Sequence, residues 1–437
     1  MVESNVLWND VNRIVSNTNS GVTEVTHDLV VHTKDKDIEV LIVLDVEVKK
    51  DYNANVGDEL VISFLMGAGD FYYDIHPYRD NLLISVTRNI GSDVVTNKYK
   101  MVLINNNTDI NGSRYDTTSR EKLNQEEQVT VELQAIDPVL EVLSLSTYSG
   151  IFKYSIVEDV INGVLSNSIK DLKNSGRDLT CVIDLFKPVN NRVFNQIKIP
   201  TGTKVLDIPS YLQNIDYGVY NGNIGTYVTK YKGQPTIFVY PLYNTTRALD
   251  TDKKLMVFAV TGMKYEMIEN TYLVEGDTVK IVSGQNTRSM SVGDNSILNN
   301  GVGFTASDAN AVMGRNLEVT NDGTTFDKDQ NINGQNYKAK PDGNNKSVHI
   351  GHTSNLYRER SKVVKNSLSI YQIQWNYADE ELIFPGMPVT YIFSDNNETI
   401  TKLNGIVQSF YLMYNQSAKT VTSLINIMVE QPKREDI

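Results

Sequence analysis

The side chains that could do chemistry are few. Asp70, Asp74, His76 and Asp80 form the densest acidic and imidazole group. If residues 71–76 were a strand, Asp74 and His76 would leave it on one face and could share a cation. The blander reading, a polar rim leading into Pro77-Tyr78-Arg79-Asp80, is preferred. His349 and His352 have a metal-like separation but no carboxylate pattern beside them, which fits an exposed loop pair. General acid–base work needs two carboxylates at a defined separation, one with a raised pKa. Asp45 and Glu47 share a strand face, and Glu380-Glu381 precede Leu382, but acids in such places usually form the wet side of an element. The single cysteine, Cys181, lies in the apolar run Leu179-Thr180-Cys181-Val182-Ile183. It can form no internal disulfide and no cysteine zinc site, and reads as a buried structural thiol. No phosphate-binding glycine loop, dinucleotide fingerprint or serine elbow occurs. No catalytic, cofactor-binding or metal residue is therefore assigned, no cofactor is expected, and the chain is expected not to be an enzyme.

Composition points the same way. The 437 residues carry 41 basic and 53 acidic side chains, a net charge of −12. That balance weighs against a duplex-binding protein, which usually shows a basic face. The sequence has no run near the ~20 apolar residues of a membrane-spanning helix, and residues 1–19 lack the basic start and apolar stretch of a signal peptide. Tyrosine is abundant at 24 against 2 tryptophans, and asparagine makes up roughly a tenth of the chain. Tyrosine favours strands and asparagine favours turns, so a β-rich, turn-rich protein is expected.

The elements that must hold these residues divide the chain into four parts. Residues 1–136 read as a first β domain, with apolar runs at 38–48, 60–65, 82–86, 100–104 and 129–135 separated by turns. Residues 137–282 read as an α+β middle region. Asp137-Pro138 is a helix start, and Ser155-Ile156-Val157-Glu158 caps a helix expected over 156–172, with Val160, Val164 and Leu165 on its apolar face. Hairpins are expected at 226–240 and 271–282. Residues 283–355 are Asn- and Gly-rich, and read as an extended insertion without elements. Residues 356–437 read as a second β domain, entered through the basic run Arg358 to Lys365, which reads by default as a solvated face and functionally as a contact with an acidic neighbouring subunit. A weak internal echo links 57–64 with 386–393: in both, a glycine opens an apolar strand that ends in Phe.

This order of parts resembles the central baseplate (tail) hub proteins of contractile-tailed phages and related contractile injection systems. The residues that carry the resemblance are Val131-Glu132-Leu133-Gln134-Ala135-Ile136-Asp137-Pro138, the stretch Phe152 to Ile161, and Leu382-Ile383-Phe384-Pro385-Gly386-Met387-Pro388-Val389. The likeness is one of architecture over most of the chain, with no counterpart for 283–355. It implies a mainly β fold with two tail-tube-like β-barrel domains joined by a helix-containing domain. It further implies a homotrimer acting as symmetry adapter between a hexameric tail tube protein and a trimeric central spike protein, with baseplate wedge proteins as further partners. The chain would be made in a host cytoplasm and reside in the virion, away from membranes. DNA would pass through the ring without specific binding; Asp45, Glu47, Asp395 and Glu398 are the channel or rim candidates. A second reading is a β-rich receptor- or carbohydrate-binding tail protein, for which Tyr and Asn would supply sugar contacts.

Overall fold

The structure is a computed structural model. It describes residues 2–16, 25–90, 93–104, 119–174, 179–215, 217–249, 251–260, 272–283, 288–291, 303–307, 316–319, 347–350, 355, 357, 361, 364–365, 368–376, 378–394, 400–415 and 420–430.

Period-two patterning builds the first β segment. Its strands are β1 (Val25–His32), β2 (Asp37–Glu39), β3 (Ile42–Asp51), β4 (Glu59–Gly67), β5 (Leu83–Ile90), β6 (Asp93–Leu103) and β7 (Gln128–Ile136). Leu60, Ile62, Phe64 and Met66 of β4 are buried while Val61, Ser63 and Leu65 between them are only partly so, the alternation of a sheet with one packed face. The order is β3-β4-β7-β6-β5-β1-β2, antiparallel throughout. Ahead of it, helix α1 (Val2–Val15) sets Val11 and Ile14 against Phe258 and Val282.

The middle region forms its own core. Asp137 caps helix α3 (Pro138–Leu145), its side chain accepting from Val139 N at 2.8 Å; α2 (Arg120–Glu126) lies earlier, beside β4. The helix expected over 156–172 is α4, Val157–Asn174, and its stripe Val160, Val164, Leu165 and Leu172 is buried. The stripe packs in one cluster with Ile197 and Ile199 of β10 and with Leu212 of α5 (Ile208–Asn214). Here β8 (Thr147–Ser155) pairs, among the described strands, only with β10 (Phe194–Lys204), whereas β9 (Val182–Leu185) runs parallel to β12 (Gln234–Pro241), itself hairpinned to β11 (Ile224–Tyr231). Asn355, at the end of the Asn/Gly-rich stretch, is buried against this region and donates to Gln213 O and Ile215 O, both at 2.6 Å.

The rest of the chain returns to the first sheet. Strands β13 (Leu255–Ala259), β14 (Tyr272–Glu275) and β15 (Thr278–Ser283) lie beside β21 (Pro388–Ser394) in the main sheet, although the sequence places them with the middle region. The stretch 283–355, read as free of elements, contains β16 (Arg288–Ser291), β17 (Gly303–Ser307), β18 (Asn316–Val319) and β19 (Ser347–Ile350). The last three form a sheet of their own, and β16 pairs with β20 (Leu368–Asn376). Each of these strands is only four or five residues long, too short for its apolar alternation to stand out among the turn residues around it.

One strand joins the two β segments. β22 (Ile400–Asn415) pairs along one edge with β23 (Thr420–Glu430). Along the other edge, residues 400–406 pair with β21 and residues 409–415 with β3. The change of partner falls at an irregularity around Gln408, whose carbonyl accepts from Tyr52 N at 3.1 Å. Both segments consequently share one apolar core, from Val25 to Val429. The echo strands β4 and β21 occupy equivalent places, each the outer neighbour of one of the two junction strands β3 and β22. A strand precedes each of them, β3 and β20, but the pairings differ: β3 pairs with β4, whereas β20 pairs with β23 and β16.

Candidate functional site

The clustered charges of the molecule extend the inward-facing rows of its strands. Val46 and Val48 of β3 point into the core, and two residues further the same row ends in buried Lys50. Ile84 and Val86 lead in the same way to Arg88, Leu60 is preceded by Asp58, and His27 stands between Val25 and Leu29. These ends meet Lys230 of β11 and the turn Glu380–Leu382 around a cavity of about 80 Å³.

Three segments distant in sequence are tied there. Lys50 Nζ lies 3.6 Å from Asp58 Oδ2 and donates to Thr229 Oγ1 at 3.4 Å, while Thr229 Oγ1 donates to Asp58 Oδ2 at 2.6 Å. Arg88 meets Glu380 at 3.2 Å, Asp379 at 3.5 Å and Glu381 at 3.6 Å. Lys230 donates to Asn97 Oδ1 at 2.9 Å, pairs with Asp137 at 3.5 Å and sits 4.7 Å above the Tyr99 ring. His27 packs edge-on to Tyr414 of β22 at 4.6 Å, closing the interior between β1 and the junction strand.

Burial and charge set the protonation states. Burial pulls the Lys50 ammonium down, but Asp58 and Glu380 outweigh it and hold it above its ordinary value. Burial pushes Asp58 and Glu381 up. It acts the same way on Glu380, where Lys50 and Arg88 prevail and hold the carboxyl below its usual value. His27 is lowered to about 4, chiefly by burial, and is neutral at pH 7. The arrangement supplies fixed opposite charges in mutual contact, which binds strands together.

The residues singled out in the sequence fall elsewhere, with one exception. Residues 71–76 form a helical turn, not a strand, so the shared face of Asp74 and His76 does not exist. Asp70 and Asp74 instead clasp Lys36 and Arg120: Lys36 Nζ is 2.7 Å from Asp74, and Arg120 Nε donates to Asp70 at 2.7 Å. Asn124 adds a bond to Asp70 at 2.9 Å, so the group anchors α2. His76 meets Arg79 at 3.4 Å, and the side chain of Asp80 lies outside the described residues. Asp45 and Glu47 are half-buried on β3, next to the β22 junction. His349 lies on β19 opposite Thr305, while His352, Asp395, Glu398 and Arg358 to Arg360 lie outside the described residues. Cys181 is half-buried, and burial pushes its thiol up to about 12.

The exception is Glu380-Glu381, read from the sequence as a wet face. Both clasp Arg88. The partners the sequence reading missed, Lys50, Asp58, Arg88 and His27, share one signal: each is a polar residue at period two with an apolar row.

Fold and site together define a mainly β chain whose clustered charges bind its parts to one another. No protein-family model matches the chain, and no curated protein matches it in sequence. Among solved structures it is similar to the 43 kDa tail protein of prophage MuSo2 from Shewanella oneidensis, at 12% identity and a TM-score of 0.49, over 94% of this chain and 99% of that one. It is also similar to the tail protein from Neisseria meningitidis MC58, at 12% identity and a TM-score of 0.46, over 93% and 97%. A third is an E. coli component of the type VI secretion system described as structurally similar to T4 bacteriophage tail proteins gp27 and gp5, at 9% identity and a TM-score of 0.44, over 93% and 78%. No helix among the described residues is long and apolar enough to cross a membrane.

Proposed function

We propose that this chain is a structural component of a phage-type contractile tail: a trimeric baseplate hub that adapts a hexameric tube to a trimeric spike and forms part of the DNA conduit. The observation that carries the reading is the junction of β3 and β22. It fuses two β segments of one chain into a single sheet and places the echo strands β4 and β21 at equivalent positions beside it. A subunit with two related β units is what a three-chain ring needs to face a sixfold partner. The ion clasp of Arg88 on Glu380 braces the units against each other. The net charge of −12 suits a passage that must release DNA and not hold it.

Light scattering on the purified chain, with negative-stain imaging, tests the reading. The expected result is a trimeric ring with a central channel and negligible affinity for duplex DNA at physiological salt. A stable dimer, a monomer at every concentration, or tight salt-sensitive DNA binding overturns it.

A further inference from the structure

The β8–β10 ribbon pairs with no other strand among the described residues. One face packs Phe152, Ile197 and Ile199 into the middle core. The other face is exposed and basic: in the register, Ile151 stands opposite Lys198, Lys153 opposite Gln196, and Thr147 opposite Lys204. Lys153, Lys198 and Lys204 form no ion pair among the described residues, in a chain that is acidic as a whole. Apolar surface accompanies them: Ile151 is 60% exposed, Leu145 at the end of α3 78%, and Tyr154 77%. Alternation would put Tyr154 inside with Tyr148 and Phe152. Its backbone instead takes a left-handed φ of 51°, a conformation costly for a non-glycine residue, and the ring lies outside. The Lys198 N–H turns away from β8 to Tyr217 Oη at 3.0 Å, so Ile151 opposite it directs its backbone groups to the open edge.

A mainly acidic surface lies at one end of the main sheet. β2 is the terminal strand, paired only with β1 among the described strands. Asp37 and Glu39 of β2 and Asp28 of β1 are exposed, with exposed Leu41, Ile42 and Leu83 close by in sequence or register. Asp37 contacts His32 at 2.7 Å, and Asp28 accepts from Asn89 at 2.8 Å. Both patches combine apolar surface with charge, basic on the ribbon and mainly acidic at β2, where exposed Asp28, Asp35, Asp37 and Glu39 outnumber exposed Lys34.

We propose that the basic ribbon face of one copy docks on the acidic β2 edge of a second copy, through Lys153 and Lys198 against Asp37 and Glu39, with Ile151 and Tyr154 covering the apolar part. The contact is heterologous and therefore generates a ring when it closes. It covers two open strand edges that would otherwise template aggregation. The proposal rests on the trimeric reading above and specifies its interface. Lys34, exposed at the turn between β1 and β2, is the like charge that the contact tolerates.

Sedimentation velocity on the full chain at several salt concentrations is the test. The wild-type ring is expected to loosen as salt rises. K153E/K198E and D37K/E39K are each expected to weaken association at least tenfold, the four changes together to restore it, and K34E to tighten it. All these positions are solvent-exposed, so circular dichroism should show wild-type melting; K198E and E39K alone carry the test if a double variant misfolds. Wild-type assembly by both double variants overturns this interface and leaves the trimeric reading standing. A wild-type chain that never assembles overturns both.

Discussion

Arg88 and Glu380 are 292 residues apart in the chain, and Arg88 Nη1 lies 3.2 Å from Glu380 Oε1. One ends an inward row of β5; the other opens the turn that leads to β21. Removing one partner of an enclosed pair leaves the other charge uncompensated. Arg88→Met is expected to cost about 3–5 kcal/mol, read from urea unfolding. A loss below about 1 kcal/mol, the value of an exposed pair, would show that the clasp does not brace the two segments.

His27 gives the interior a pH dependence. Its folded-state pKa is lowered to about 4, so between pH 6.5 and about 4 the unfolded chain binds a proton that the folded chain refuses. Stability is complete above about pH 6.5 and falls as pH drops through this window, by about 3 kcal/mol. Glu380, held low, adds a loss at still lower pH, whereas Asp58 and Glu381, held high by burial, act in the opposite sense. Chemical denaturation at pH 7, 5.5 and 4.5 should show the decline in the wild type and a smaller one in His27→Phe. Equal slopes in the two proteins would remove His27 from the account.

The α4 stripe is a second test of the core. Val160 and Leu165 are 0% and 1% exposed. Val160→Asp or Leu165→Asp places an unpaired charge among Ile197, Ile199 and Leu212, at a cost of several kcal/mol. Insoluble or early-melting protein is the expected outcome; wild-type melting would mean the stripe is not packed.

Tyr240 fills the space left by two glycines. A Cβ on Gly225 or on Gly386 would come within 2.5 Å of its ring, and Gly386 has a φ of +70°. Its hydroxyl donates to Tyr52 O at 2.7 Å. Gly386→Ala combines clash with backbone strain and should lower stability by about 1–3 kcal/mol. Tyr240→Phe removes only the hydrogen bond, about 1 kcal/mol. A thermal melt ranking the two in the reverse order would contradict this packing.

Cys181 should be inert in the folded protein. With the thiol raised to about 12 there is almost no thiolate at pH 8. A disulfide reagent should label it only when denaturant is present; rapid labelling of the native chain would refute that environment.

The sequence by itself determined the local elements. The capping of α3 by Asp137, the apolar stripe of α4 and the hairpins β11–β12 and β14–β15 follow from periodicity and turn chemistry, which act between residues a few positions apart. The same signals were blind in two places. Between 283 and 355 the strands are four or five residues long, too short for their alternation to register. At 71–76 a run with aromatic residues, Phe71-Tyr72-Tyr73, folds as a helical turn because Lys36, Arg120 and Asn124 hold Asp70 and Asp74 from other elements. Only the tertiary structure decided where the charges went. Lys50, Asp58, Arg88 and Glu380 look like ordinary strand-end and turn residues until β22 brings β3 beside the second β segment. Which carboxylate meets which cation depends on strand order and register, and these are set by pairings hundreds of residues apart that no local pattern encodes.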